Sequence, residues 1–235
     1  MSSHPKRQGL KPFFSYYGSK WRAARLYPGP KYPTIIEPFA GGAGYSLRYF
    51  DRKIKLFDAN PIVVGVWDYL IHAKASEILA LKDIGPGQTV DDLGDVPQEA
   101  KWLFGFIVSH AVEAPRRSPT KFAVRGLRNK KIVIASQLEF IRHWEVKHYE
   151  YFSVENEQAT WFIDPPYNNQ AGRHYPKQVD DYAVLARWCM SREGQIIVCE
   201  NEGADWLPFK TLASIRAQSK PGDANRLSHE VRWCK

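Results

Sequence analysis

The chain has 235 residues, 44% hydrophobic and 14% aromatic, with 33 Lys and Arg against 25 Asp and Glu, for a formal charge of +8. That describes a globular protein with a substantial core, long enough for one large domain or a core domain with an insertion. No apolar run approaches the roughly 18 residues of a membrane span, the polar start Met1–Arg7 is unlike a signal peptide, and Cys189, Cys199 and Cys234 fit no metal or disulfide pattern, so a cytoplasmic protein without membrane, metal or bridge is expected.

The positive charge is clustered. No acid occurs from Met1 to Ile36, and a second acid-free span, Ala114–Leu138, holds Arg116, Arg117, Lys121, Arg125, Arg128, Lys130 and Lys131. Such clustering is the footprint of a polyanion partner, a solvated basic face being the plainer alternative.

In chain order, the aromatic cluster Phe13-Phe14-Ser15-Tyr16-Tyr17 passes through Gly18-Ser19-Lys20 into a helical segment from Trp21 to Tyr27, which Pro28-Gly29-Pro30 ends. A helix N-terminus favours anionic groups, and Lys20 adds charge there. Thr34–Ile36 reads as a short β-branched strand, Glu37-Pro38-Phe39-Ala40-Gly41-Gly42-Ala43-Gly44 as a glycine loop, and Tyr45–Phe50 as a helix. That sequence of elements opens a nucleotide-binding α/β unit, because glycines let backbone approach a ligand closely. The third glycine of a dinucleotide fingerprint is missing, which disfavours a nicotinamide cofactor. Lys53–Phe57 reads as the second strand. It ends at Asp58, an acid placed to bind a ribose diol, to cap the helix Ile62–Ile71, or both.

From His72 to Glu145 no strand–helix alternation is visible, so the region reads as a mostly helical insertion, with helices near Ala100–His110 and Val133–Trp144. Arg116–Lys121 and Arg125–Lys131 read as loops whose Arg, Ser and Asn side chains can contact phosphates and base edges.

Trp161-Phe162-Ile163 reads as a buried strand stopped by Asp164-Pro165-Pro166-Tyr167. Consecutive prolines cannot donate to a sheet, and each restricts the residue before it. The result is a stiff turn at the carboxyl end of a strand, where open α/β sheets bind ligands. It offers a carboxylate, an imide carbonyl and an aromatic face, which suit a planar ring bearing an exocyclic amine. Plain turn chemistry is the alternative. A helix at Asp180–Met190, a strand at Gln195–Asn201, and final strands at Leu212–Arg216 and Glu230–Trp233 complete the chain.

With the motifs Phe13–Lys20, Glu37–Gly44, Asp58, Asp164–Tyr167 and Ile197–Asn201 in this order, the chain resembles the Dam-like family of adenine-N6 DNA methyltransferases. The resemblance covers nearly everything outside the insertion. It implies an α/β fold, the doubly wound, Rossmann-like sheet of S-adenosylmethionine-dependent methyltransferases. The catalytic domain would be 1–71 with 146–235, and 72–145 an inserted target-recognition region. It further implies that Tyr16 and Lys20 help hold S-adenosylmethionine, that the loop with Glu37, Phe39, Ala40, Gly41 and Gly42 passes under its methionine moiety, and that Asp58 binds its ribose. Asp164 would lie near both cofactor and target amine, with Pro165, Pro166 and Tyr167 completing the catalytic motif. Tyr175 matches a tyrosine of related sequences and joins the basic residues of the insertion as a DNA-binding candidate. Double-stranded DNA is the partner implied, and a restriction endonuclease in the same system would fit. The chain departs from the family pattern at Gly18-Ser19-Lys20, where Gly-Gly-Lys is common, and at Ser153, where an acid is often found.

The amine lone pair of adenine is delocalised into the ring. Acceptance of its hydrogens by Asp164 and the Pro165 carbonyl would return electron density to nitrogen, and the base must leave the duplex to be reached. An RNA substrate, cytosine N4 as the target, and a catalytically silent nucleic-acid-binding relative remain open readings.

Overall fold

The computed structural model describes residues 9–109, 112–119, 126–170, 172–216 and 227–235. Seven strands form one sheet: β1 (Thr34–Glu37), β2 (Lys53–Asp58), β3 (Glu145–His148), β4 (Ala159–Ile163), β5 (Gly194–Asn201), β6 (Lys210–Arg216) and β7 (Leu227–Cys234). Their spatial order is β3-β2-β1-β4-β5-β7-β6. The first five are parallel, and β7 runs antiparallel to both β5 and β6. This is a doubly wound, Rossmann-like sheet.

Period-two alternation in the central strands explains why both faces are covered. Ile35, Phe162, Ile197 and Cys199 point into one apolar layer, while Ile36, Trp161, Ile163, Ile196 and Val198 point into the other. Every residue of β4 is buried, as a central parallel strand requires. Helices α1 (Pro61–His72) and α3 (Gln98–Ile107) pack in the first layer, and α5 (Tyr182–Ser191) packs in the second. The strand order reverses between β1 and β4, so the carboxyl ends of these two strands flank the topological switch point, where such sheets bind ligands.

Residues 72–145 contain no strand before β3 among the described residues; they hold α2 (Ala75–Ala80), α3 and α4 (Leu127–Gln137). This segment shares one core with the sheet. Phe106 of α3 lies 5.2 Å from Phe14 and 5.8 Å from Tyr16, ring centroid to centroid.

Several boundaries differ from the sequence reading. The expected helices Trp21–Tyr27 and Tyr45–Phe50 shrink to 3₁₀ turns at Ala24–Leu26 and Ser46–Tyr49. Both are too short to sustain an α-helical nucleus. The expected loop Arg125–Lys131 becomes helix from Leu127 onward. Gly126 enters it at φ +82°, and Leu127, Lys131 and Ile134 share its buried face. The helix expected at Val133–Trp144 therefore begins earlier and gives way to a 3₁₀ turn at Leu138–Ile141. Strand β3 has no counterpart in the sequence reading, because Glu145-Val146-Lys147-His148 is a charged, mostly exposed edge strand without apolar alternation.

Candidate active site

Asp164 follows β4 at the switch point. Lys20 Nζ lies 3.0 Å from its Oδ1. This is an ion pair rather than an aligned hydrogen bond, for Oδ1 is buried with no hydrogen-bond donor among the described residues. Burial pushes the Asp164 carboxyl up to about 6, Lys20 opposing and Glu230 adding to the rise. Burial alone would lower the Lys20 ammonium, but the Asp164 and Glu230 carboxylates outweigh it, and its pKa is raised.

The proline turn is anchored from outside the motif. The Tyr182 hydroxyl donates to the Pro166 carbonyl at 2.5 Å. None of the described residues donates to the Pro165 carbonyl. The Tyr167 ring carries Lys20 Nζ 4.7 Å from its centroid. Its hydroxyl donates to Glu230 Oε2 at 2.6 Å. Asn168 N–H and the Trp206 indole N–H both donate to Glu200, at 3.1 and 3.0 Å, so the residue after the motif is held by the end of β5.

A cleft opens beside Asp164, with Tyr16, Glu37, Phe39, Asp58 and Asp164 among its walls. Asp58 Oδ2 accepts the Gly41 N–H at 2.9 Å and Oδ1 accepts the Asn60 N–H at 2.8 Å, which ties the glycine loop to the start of α1. The helix cap itself is Asn60, whose side chain accepts from Ile62 N–H. Burial raises the Asp58 carboxyl to about 6, partly offset by those two N–H donors. The glycine loop is close-packed against protein. A Cβ on Gly44 would sit 2.4 Å from the Trp21 nitrogen, and Gly41, at φ +45°, supports the Tyr16 ring. Glycine therefore serves here to seat the Tyr16–Trp21 segment over the loop, an addition to the ligand approach expected from sequence. Glu37 is 2% exposed; its Oε1 accepts the Ser46 N–H, and burial pushes its pKa to about 8.

The structure brings Tyr16, Lys20, Glu37, Phe39, Ala40, Gly41, Gly42, Asp58, Asp164 and Pro166 to this one cleft. Tyr175 joins them as a wall: its hydroxyl donates to the Tyr17 carbonyl at 3.1 Å and its ring packs on Tyr16 and Tyr17.

Two of the basic candidates have partners within the protein. Lys131 is 6% exposed, bonded to the Leu81 carbonyl at 2.5 Å and paired with Asp83 at 2.6 Å. Lys130 Nζ donates to the Ile107 carbonyl at 2.8 Å. Both staple α4 to its neighbours, since a long aliphatic stem can cross a packed helix face and end on a free carbonyl. Arg116, Arg117 and Arg128 are exposed, Arg117 with Asp91 as partner. Lys121 and Arg125 lie outside the described residues.

Two acids escaped the sequence reading. Ser153, taken as the counterpart of a family acid, is exposed and away from the cleft, whereas Glu150 and Tyr151 line it, Tyr151 stacked on Phe39 at 5.4 Å. The adjacent Glu150-Tyr151 pair was the available signal. Glu230 reaches the site from β7, and only the antiparallel return of the chain places it there.

No family model matches the chain, and no curated protein does. Among solved structures it is similar to the 23S rRNA methyltransferase ErmE, at 10% identity and TM-score 0.42, over 94% of this chain and 68% of that one. It is also similar to the glycopeptide N-methyltransferase MtfA, at 11% identity and TM-score 0.33, over 96% of this chain and 76% of that one.

Proposed function

We propose that this protein transfers a methyl group from S-adenosylmethionine to N6 of an adenine flipped out of duplex DNA. One observation carries the reading: a buried carboxylate oxygen, paired with Lys20 but with no aligned hydrogen bond among the described residues, stands at the switch point within the motif that also holds an aromatic ring and an imide carbonyl to which no described residue donates. A buried carboxylate held by one cation keeps lone pairs for a hydrogen donor that the described residues do not supply.

The cofactor cradle fits the residues present. Asp58 retains lone pairs for a ribose diol beyond the two N–H groups it accepts. Glu150 and Tyr151 border the cleft where a cofactor's adenine would lie, and the Phe39–Gly42 backbone would run beneath the methionine moiety. When bound, S-adenosylmethionine supplies a methyl group on a sulfonium, already a strong donor. The chain's own part is placement and electrostatics. Asp164 and the Pro165 carbonyl accept the two amine hydrogens, which localises the lone pair on N6. Tyr167 offers its face to the flipped base. An amine that gains a methyl group must shed one proton, which Asp164 or water at the cleft mouth would receive. Exposed Arg116, Arg117 and Arg128 would contact the phosphate backbone.

The test is transfer of labelled methyl to unmethylated duplex DNA with nucleoside analysis of the product. N6-methyladenine formed by the wild type and absent with Asp164→Ala is the expected result. N4-methylcytosine, or product on RNA alone, would overturn the assigned substrate. Cofactor binding with no methyl transfer to any nucleic acid would overturn the activity.

A further inference from the structure

Glu230 is a buried carboxylate that the reaction as described does not use. It is 6% exposed, on the one strand that inserts antiparallel beside β5. Its Oε2 accepts from Tyr167 at 2.6 Å and Tyr27 at 3.4 Å, its Oε1 accepts from Ser228 at 2.9 Å, and it stands 4.0 Å from Lys20 Nζ.

We propose that Glu230 is a positioning residue for methyl transfer: it clamps the Tyr167 ring and gives Lys20 a second anion, so that Asp164 can turn to the target amine. The inference rests on the function proposed above and deepens it. Lys20 is shared by two carboxylates and the Gly18 carbonyl, the last at 3.0 Å. A carboxylate locked to an ammonium is a weaker acceptor for an amine hydrogen. With Glu230 in reach, Lys20 can lean away from Asp164 and stay paired in a poorly solvated site, where an unpaired cation would be costly. At the same time the bond from Tyr167 fixes a ring that has no other polar tether among the described residues.

Several titratable groups face Asp164. Lys20 comes from the N-terminal segment, Glu37 from the end of β1, Tyr167 and Tyr175 from the following loop, Cys199 and Glu200 from β5, and Glu230 from β7. Tyr27 completes the set. Among them Glu230 raises the Asp164 carboxyl and Lys20 lowers it. Glu230→Gln keeps an acceptor for Tyr167 but removes the charge, which leaves Lys20 committed to Asp164.

The experiment compares wild type, Glu230→Gln and Tyr167→Phe by kcat, KM for DNA, kcat against pH and cofactor affinity. Glu230→Gln should lower kcat on the order of 10–100-fold, leave cofactor affinity within about twofold, and move the acid limb of the kcat profile to lower pH. Tyr167→Phe, which keeps both charges, should lower kcat while the limb stays in place. Wild-type kcat with an unmoved limb in Glu230→Gln overturns the proposal. Should Glu230→Gln fail to fold or bind cofactor, unchanged kcat in Tyr167→Phe overturns the clamp. A wild-type protein that transfers no methyl group to DNA overturns the underlying function, and this inference with it.

Discussion

Asp164 sits between opposing demands, ionised enough to accept an amine hydrogen yet removed from water. Burial raises its carboxyl to about 6, with Lys20 pulling the other way. The protonated acid has lost the acceptor, so turnover should fall as pH is lowered through about 6; a kcat–pH profile at saturating substrate measures this. Glu37 carries a stability consequence instead. Burial lifts its carboxyl from 4.5 to about 8, so the folded state binds a proton that the unfolded state has released. Stability is then highest below the unfolded value and is lost as pH rises between the two, at about 1.4 kcal/mol per pH unit. Glu37→Gln, which has no proton to lose, should flatten that slope in urea unfolding at pH 6 and pH 9. Gly18 tests the cleft wall. Its φ is +70° and a Cβ would lie 2.2 Å from the Tyr175 hydroxyl. Gly18→Ala should displace Tyr175 and weaken cofactor binding, measurable by calorimetry.

At the scale of elements, α4 has two faces with different work. Its inner face ends in Lys130 and Lys131, bonded to the carbonyls of Ile107 and Leu81. Lys131→Met should cost stability, about 1–3 kcal/mol for the broken buried network, and leave the salt dependence of DNA binding unchanged. Arg128 lies on the exposed face. On the proposed function, Arg128→Ala should weaken DNA binding similarly across sequences and reduce the slope of log K against log salt by about 1. Filter-binding titrations at several salt concentrations separate the two variants. A charge run read along the chain cannot distinguish these lysines from that arginine, because the distinction is rotational and depends on what packs against each face. The same holds for β3, whose polar residues pair with β2 through backbone bonds and a surface ion pair between Glu145 and Lys53.

At the scale of the molecule, the switch point gathers residues far apart in sequence: Tyr16 and Lys20, the loop after β1, Asp58 after β2, Glu150 after β3 and Asp164 after β4. A parallel sheet brings strand ends to one edge, which explains why motifs at successive strand ends share one cleft. The interposed helices join the same aromatic core through Phe14, Tyr16 and Phe106. The 72–145 segment thus packs directly on Tyr16 in the cleft wall.

By itself the sequence determined the central strands, the glycine loop, the acid after β2 and the Asp164–Tyr167 turn. Each rests on chemistry within a few neighbouring residues: β-branched runs, glycine conformations, paired prolines. Tertiary structure alone decided the rest. It assigned Glu230 and Glu150 to the site, buried Lys131, set Tyr175 in the cleft wall, and paired Asp164 Oδ1 with Lys20. These outcomes depend on which side chains meet across the sheet and on how much water is excluded where they meet, and neither is a property of any one stretch of chain.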